Sequence, residues 1–183
     1  MSTKINQIIK PQRFFTREEV LSKSSPVPKS NGLYGWYFDS IPGNTPVNNC
    51  ISLDSKTLLY VGISPDKASK PNSTQNLRKR ITYHYRGNAE GSTLRRTLGI
   101  LLAKESGYPL RRVRSGKTMT LTHAGERWLD GWMQENAFIC WMEHPQPWTV
   151  EEQLINSAQP PLNIKGNSSH PFYSTLRVLR REA

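Results

Sequence analysis

Two short stretches of alternating side chains constrain this chain more than any other feature in it. In "GLYGWYFD" (residues 32–39), Tyr34, Trp36 and Phe38 fall on one face of a strand, because successive side chains point to opposite sides. "TLLYVGIS" (residues 57–64) is richer in β-branched and apolar residues and puts Tyr60 and Gly62 on one face. The link between them holds Pro42, Gly43, Pro46 and the pair Asn48 and Asn49. It is too long for a tight turn but suits a loop joining paired strands.

A polar loop (residues 65–76) leads to a helix that Asn76 is placed to cap. Leu77, Ile81 and Tyr85 recur every fourth residue as an apolar stripe, and Arg80 and His84 share the face beside it. That placement suits two polar groups facing a cleft. Residues 92–105 read as a second helix with Leu94, Leu98 and Leu101 inward. Residues 108–120 read as a basic turn or hairpin, and residues 122–135 as a helix capped by Thr122. A strand over Ala137–Glu143 and a helix over residues 148–158, stopped by Pro160 and Pro161, follow. The tail (residues 166–183) predicts a final basic helix. Residues 1–31 read as an N-terminal arm with a short helix opened by the Thr16–Glu19 capping box and broken by "SSPVPKSNG". There are no internal repeats. The order predicts one α/β (α+β) domain over residues 32–165: a small three-stranded mixed or antiparallel sheet flanked by helices, with a basic insert over about residues 86–136.

The formal net charge of +11 over 183 residues favours a polyanionic partner, with nucleic acid ahead of an anionic membrane surface. No apolar run approaches the roughly 20 residues that span a bilayer, and the N-terminus shows no signal-peptide core. Cys50 and Cys140 are isolated, which fits a reducing, cytoplasmic setting. The sequons at Asn72 and Asn167 are then accidental.

Together the pieces resemble the GIY-YIG nuclease superfamily. Gly32, Leu33 and Tyr34 stand where that family has its first signature, and Tyr60, Val61 and Gly62 where it has its second. Arg80 and His84 reproduce the R-x3-H of the following helix. "EEQLINSAQPPLN" is similar to the late E-x2-L-I-x4-P-x-[YFL]-N pattern, matching Glu151 to the acid and Asn163 to the terminal asparagine. The likeness covers roughly residues 32–165, with Leu33 and Val61 as conservative departures. Tyr34 and Tyr60 stand further apart than in compact members, and residues 85–137 carry more sequence than a minimal module.

The resemblance implies a divalent-metal-dependent DNA endonuclease using Mg²⁺, with Mn²⁺ as a substitute. Glu151 is the expected metal ligand, since Mg²⁺ commonly binds through one or two carboxylates plus substrate oxygens. Arg80 is expected to clamp the scissile phosphate. Tyr34 is expected to orient or deprotonate the attacking water, helped by the metal and Arg80 or by a relay through His84. Tyr60 shares the hydrogen-bond network, Asn163 positions, and Gly62 lets backbone approach.

Taken singly, each residue has a plainer reading: strand tyrosines pack, Arg80 and His84 form a solvated face, Glu151 favours a helix dipole, and Asn163 follows a turn. Three other readings stay open: an inactive DNA-binding module of the same fold, an RNA-directed nuclease, and a basic protein on an acidic membrane. Pro65–Asp66 opens like a PD…(D/E)xK motif, but no acid stands two residues before a later lysine. Cys140 and His144 lack a second pair for zinc. The nucleic-acid-binding candidates are Arg78, Lys79, Arg86, Arg95, Arg96, Arg111, Arg112, Arg114 and Lys117, with Arg177, Arg180 and Arg181 in the tail. Trp36, Tyr83 and Trp128 are the aromatic candidates for stacking, core packing being the better reading for the tryptophans. Double-stranded DNA is the expected partner, and a homodimer is one way to cut both strands.

Overall fold

The computed structural model describes residues 5–66 and 73–183. The sequon at Asn72 and the middle of the loop around it lie outside the described residues. Asn167 is buried and donates from Nδ2 to Pro160 O at 2.8 Å, so it offers nothing to a glycan.

The elements in chain order are α1 (Asn6–Ile9), α2 (Arg17–Leu21), β1 (Gly32–Phe38), β2 (Ser52–Leu53), β3 (Lys56–Ser64), α3 (Leu77–Arg86), α4 (Thr93–Leu101), α5 (Ala103–Ser106), β4 (Arg111–Val113), β5 (Thr118–Thr120), α6 (His123–Asn136), β6 (Ala137–Glu143), α7 (Glu151–Ala158) and α8 (Tyr173–Glu182). The expected caps are present. Thr16 and Glu19 form the reciprocal box, Asn76 Oδ1 accepts from Lys79 N at 2.9 Å, and Thr122 Oγ1 accepts from Gly125 N at 3.1 Å.

The main sheet is antiparallel with order β2-β3-β1-β6. It has four strands where three are expected. The fourth, β2, pairs with the start of β3 across a two-residue turn in which Asp54 and Ser55 both adopt positive φ. Asp-Ser lacks the glycine that would announce such a turn.

Each face of the sheet is covered. Tyr34, Trp36, Phe38 and Tyr60 point toward Leu77, Ile81 and Tyr85 of α3, Leu94 and Leu98 of α4, Leu129 and Met133 of α6, and Leu176 of α8. Leu33, Tyr37, Leu58, Val61 and Ile63 point the other way, against Ile5 and Ile8 at the N-terminus and Leu154, Ile155 and Ala158 of α7. Residues 5–9 therefore dock on the sheet, where Tyr37 Oη donates to Ile8 O at 2.8 Å. The tail docks as well, through Leu176.

Both outer edges of the sheet are closed without further strands. Phe15 exchanges two backbone hydrogen bonds with Ile139 on β6. On β3, Leu59 O accepts from Leu162 N at 2.9 Å, and the Asn163 side chain serves Val61: Val61 N donates to Oδ1 and Nδ2 donates to Val61 O, each at 2.9 Å. An unpaired strand edge exposes donors and acceptors that need partners. The asparagine amide supplies one of each.

Candidate active site

Pairing β1 with β3 sets Tyr34 directly opposite Gly62. A Cβ built on Gly62 would stand 2.5 Å from Tyr34 Cζ, so the glycine is what lets the phenol lie across the neighbouring strand. Next to it, α3 brings Arg80 to the cavity, and α7 brings Glu151 around the β3 edge. The result is a cavity of about 340 Å³ lined by Tyr34, Tyr60, Arg80, Glu151 and Asn163 among others.

Five of the six catalytic candidates therefore meet in one place. The sixth, His84, sits behind Tyr34 and does not line the cavity. It is fully buried, with the rings of Tyr34, Trp36 and Tyr60 around it at centroid distances of 5.5, 5.8 and 6.2 Å. Its Nε2 lies 2.9 Å from Tyr34 Oη and its Nδ1 2.7 Å from Ser92 Oγ. Ser92 Oγ already accepts the Arg95 N–H at 3.1 Å as the cap of α4. Two tautomers satisfy this network: Nε2–H, with Ser92 donating to Nδ1 and His84 donating to the Tyr34 oxygen, and Nδ1–H, with Tyr34 donating to Nε2 and His84 donating to Ser92.

The electrostatics follow from this burial. Burial, then the charges of Arg80 and Arg95, hold the His84 imidazole well below its ordinary pKa, so it is neutral. Burial pushes the Tyr34 phenol up, opposed by the charge of Arg80 and a hydrogen bond from it, and raised further by Glu151 and Asp66. Tyr60 is raised mainly by burial and next by Tyr34. Burial works against the charge of Arg80, yet Tyr34, Tyr60 and Asp66 outweigh it and strengthen its hold on the proton. Glu151 is raised by burial, with Lys165 pulling it down across 3.8 Å and Asp66 pushing it up.

Glu151 and Asp66 are the acids lining the cavity. An oxygen-only set of one or two carboxylates facing open space, with room for phosphate oxygens, fits Mg²⁺. Among the described residues, no group of three or more His, Cys, Asp or Glu gathers into an all-protein metal cage.

Sequence reasoning gave no catalytic part to four residues in or beside this site. Ser92 orients His84, and its serine-at-N-cap position was the readable signal. Asp66 and Lys165 flank Glu151. Arg180 reaches the same cavity from α8, held by Thr97 Oγ1 at 2.5 Å and Thr93 O at 3.4 Å. Burial, then Arg96, lowers its pKa.

The nucleic-acid candidates divide. Arg95 is a correction: it is fully buried and takes no part in any surface. Its guanidinium donates to Glu126 Oε2 at 2.6 Å and Asp130 Oδ1 at 2.7 Å, and also to the carbonyls of His84, Tyr85 and Glu126. It ties α4 to α6 and to the end of α3. Arg78 donates to Val27 O and Ser25 O, pinning the N-terminal segment, and Arg96 donates to Ala89 O and Glu90 O. Lys79 and Arg86 are exposed on α3, and Arg111, Arg112, Arg114 and Lys117 on the β4–β5 hairpin, with Arg114 paired to Glu90 at 3.0 Å.

The family model for the GIY-YIG catalytic domain matches residues 32–182. The chain belongs to the GIY-YIG family. That family is one of nucleases, and the match runs through α8, beyond the boundary at residue 165 suggested by the motifs alone. No curated protein and no solved structure shows significant similarity to the chain. No helix among the described residues is long and apolar enough to cross a membrane.

Proposed function

We propose that this GIY-YIG protein is a divalent-metal-dependent DNA endonuclease that hydrolyses phosphodiester bonds at the Tyr34–Arg80–Glu151 cavity. The observation that carries the reading is convergence: side chains from two strands, from α3, from the start of α7 and from the segment after it meet around one cavity.

Arg80 binds the non-bridging oxygens of the scissile phosphate, a role suited to a guanidinium whose charge is reinforced by its surroundings. Tyr34 orients the attacking water and, once its own phenolic proton has been released to solvent through the cavity, accepts the water's proton as a phenolate. Burial makes ionisation of this phenol costly, and the groups placed to support its anion are the positive charge of Arg80 and the His84 ring, whose Nε2 lies 2.9 Å from its oxygen. In its Nε2–H tautomer, with Ser92 Oγ donating to Nδ1, His84 donates to the phenolate and favours it. Tyr60 borders the same cavity, and Lys165 and Arg180 add positive charge to its lining. Asn163 holds β3 and the Glu151 segment in register.

Glu151, with Asp66 near it, would hold Mg²⁺, or Mn²⁺ in its place, which supplies Lewis-acid neutralisation of the phosphoryl and leaving oxygens. The net charge of +11 and the exposed cations of α3 and of the β4–β5 hairpin supply sequence-independent affinity for the backbone of double-stranded DNA.

Incubation with supercoiled plasmid, with and without Mg²⁺ and beside Glu151→Ala, tests the reading. Metal-dependent nicking or linearisation by the wild type alone supports it. Equal cleavage by the variant would falsify the site.

A further inference from the structure

Of the three aromatic residues that the sequence offered as stacking candidates, two are taken up by the protein itself. Trp36 is buried in the core and Trp128 packs half-buried against it. Tyr83 is 38% exposed. It lies one turn from Arg80 on α3, and its placement is not that of a loose surface residue. Its Oη donates to Asn88 Oδ1 at 3.0 Å, and the same oxygen accepts from Gly91 N at 3.1 Å. The ring is laid on two glycines: a Cβ at Gly87 or at Gly91 would stand 2.7 Å from ring carbons. The turn over residues 87–91 therefore fixes the ring from one side.

The ring borders a groove of about 580 Å³ lined by Gln75, Lys79, Arg80, Thr82 and Arg86. The lining carries three cations and, among the described residues, no acid. Arg80 borders both this groove and the active-site cavity, and its Nη1 donates to Gly91 O at 3.2 Å. A polynucleotide whose scissile phosphate sits on Arg80 runs its next nucleotide into the groove.

We propose that Tyr83 is a stacking platform for the nucleobase beside the scissile phosphate, with Lys79 and Arg86 holding the flanking phosphates. The assignment rests on the nuclease reading for the position of the scissile phosphate. Stacking on an aromatic ring serves any base, because every base has a π-face, so the platform adds affinity without sequence choice. It reads an unstacked base, which distinguishes its contribution from the backbone contacts of the hairpin.

The test is equilibrium binding of the full chain, without divalent ions, to a labelled single-stranded oligonucleotide and to an abasic strand of the same length. Tyr83→Ala and Tyr83→Leu are expected to lose about 5- to 150-fold in affinity for the base-bearing strand, the span of one base–aromatic stack. Tyr83→Phe and Tyr83→Trp should retain it. The abasic strand should bind wild type and variants alike, and the salt slope should not change, since no phosphate contact is removed. Affinities within twofold of wild type for both Tyr83→Ala and Tyr83→Leu overturn the proposal. So does equal loss on the abasic strand, or failure of the wild type to prefer the base-bearing strand. Tyr83→Leu keeps an apolar side chain on the glycines, so a folding defect in the alanine variant does not decide the result.

Plasmid cleavage reports separately. A chain that cleaves but shows no dependence on Tyr83 keeps the nuclease reading and loses the platform. A chain with Tyr83-dependent binding of the base-bearing strand and no cleavage keeps Tyr83 as a stacking residue and loses its place beside a scissile phosphate.

Discussion

Tyr34 Oη and His84 Nε2 lie 2.9 Å apart in a buried site, joining the centre of the sheet to the helix that carries Arg80. The bond ends in the cavity at one side and at Ser92 on the other. Tyr34→Phe keeps the ring over Gly62 and removes only the oxygen. We expect kcat for plasmid cleavage to fall by about 10²–10⁴-fold, the ordinary worth of a positioned acid–base group. Stability should drop by about 1–3 kcal/mol because His84 is left unpartnered. A kcat within tenfold of wild type would count against Tyr34 as the base.

His84 also makes stability depend on pH, with a definite sign. Burial, then Arg80 and Arg95, depresses its folded pKa well below 6.5, the ordinary value for the group. Below about pH 6.5 the unfolded chain binds a proton that the folded chain refuses. The contribution is therefore complete above that pH and is lost as pH falls, by up to about 1.4 kcal/mol per unit. Urea midpoints between about pH 7.5 and 5 should fall more steeply for wild type than for His84→Gln. Parallel curves would show that the imidazole accepts its proton in the folded chain.

Asn163 was expected to position the metal or the phosphate, and its amide is instead spent on both backbone groups of Val61. Asn163→Ala leaves a buried N–H and C=O without partners, a loss of about 1–3 kcal/mol in denaturant unfolding. Asn163→Asp keeps the acceptor for Val61 N–H but sets a carboxylate against Val61 O, and should be no better. A variant as stable as wild type but inactive would return Asn163 to direct contact with substrate.

Arg95 and Lys117 carry the same charge and should fail differently. Arg95→Met leaves Glu126 without its cation and Asp130 with Arg17 alone, and empties a fully buried site that held five hydrogen-bond acceptors, so we expect about 3–5 kcal/mol of destabilisation. Lys117→Ala should leave unfolding unchanged, weaken DNA binding across sequences, and lower the slope of log K against log salt by about 0.9 if it meets a phosphate. An unchanged slope in both Lys117→Ala and Arg111→Ala would remove the hairpin from the interface.

Much of this molecule was legible from local rules. Alternation in residues 32–39 and 57–64 announced β1 and β3 and which side Tyr34, Trp36 and Phe38 share. Asn76, Thr16 and Thr122 marked helix starts, because a side-chain oxygen at that position satisfies a backbone N–H that the helix leaves open. The spaced motifs pointed to Tyr34, Tyr60, Arg80 and Glu151 as one set, and these four line one cavity. Where local rules ran short, the reason was local too: β2 turns on Asp54 and Ser55, a pair with no glycine signature.

Tertiary structure decided the rest, because charge and polarity in a sequence do not say what a side chain faces. Arg95 and Arg96 are adjacent and identical in chemistry. One is sealed between Glu126 and Asp130, and the other caps the carbonyls of Ala89 and Glu90. His84 reads from the motif as a cavity residue, yet helix phase against the sheet puts it behind Tyr34, with Ser92 on its other ring nitrogen. Arg180 lies far along the chain from Tyr60 and reaches the same cavity only because Leu176 anchors α8 in the core. The sequence determined which residue types were available and the elements that carry them. Packing decided which of their polar groups were consumed by the fold and which were left facing a substrate.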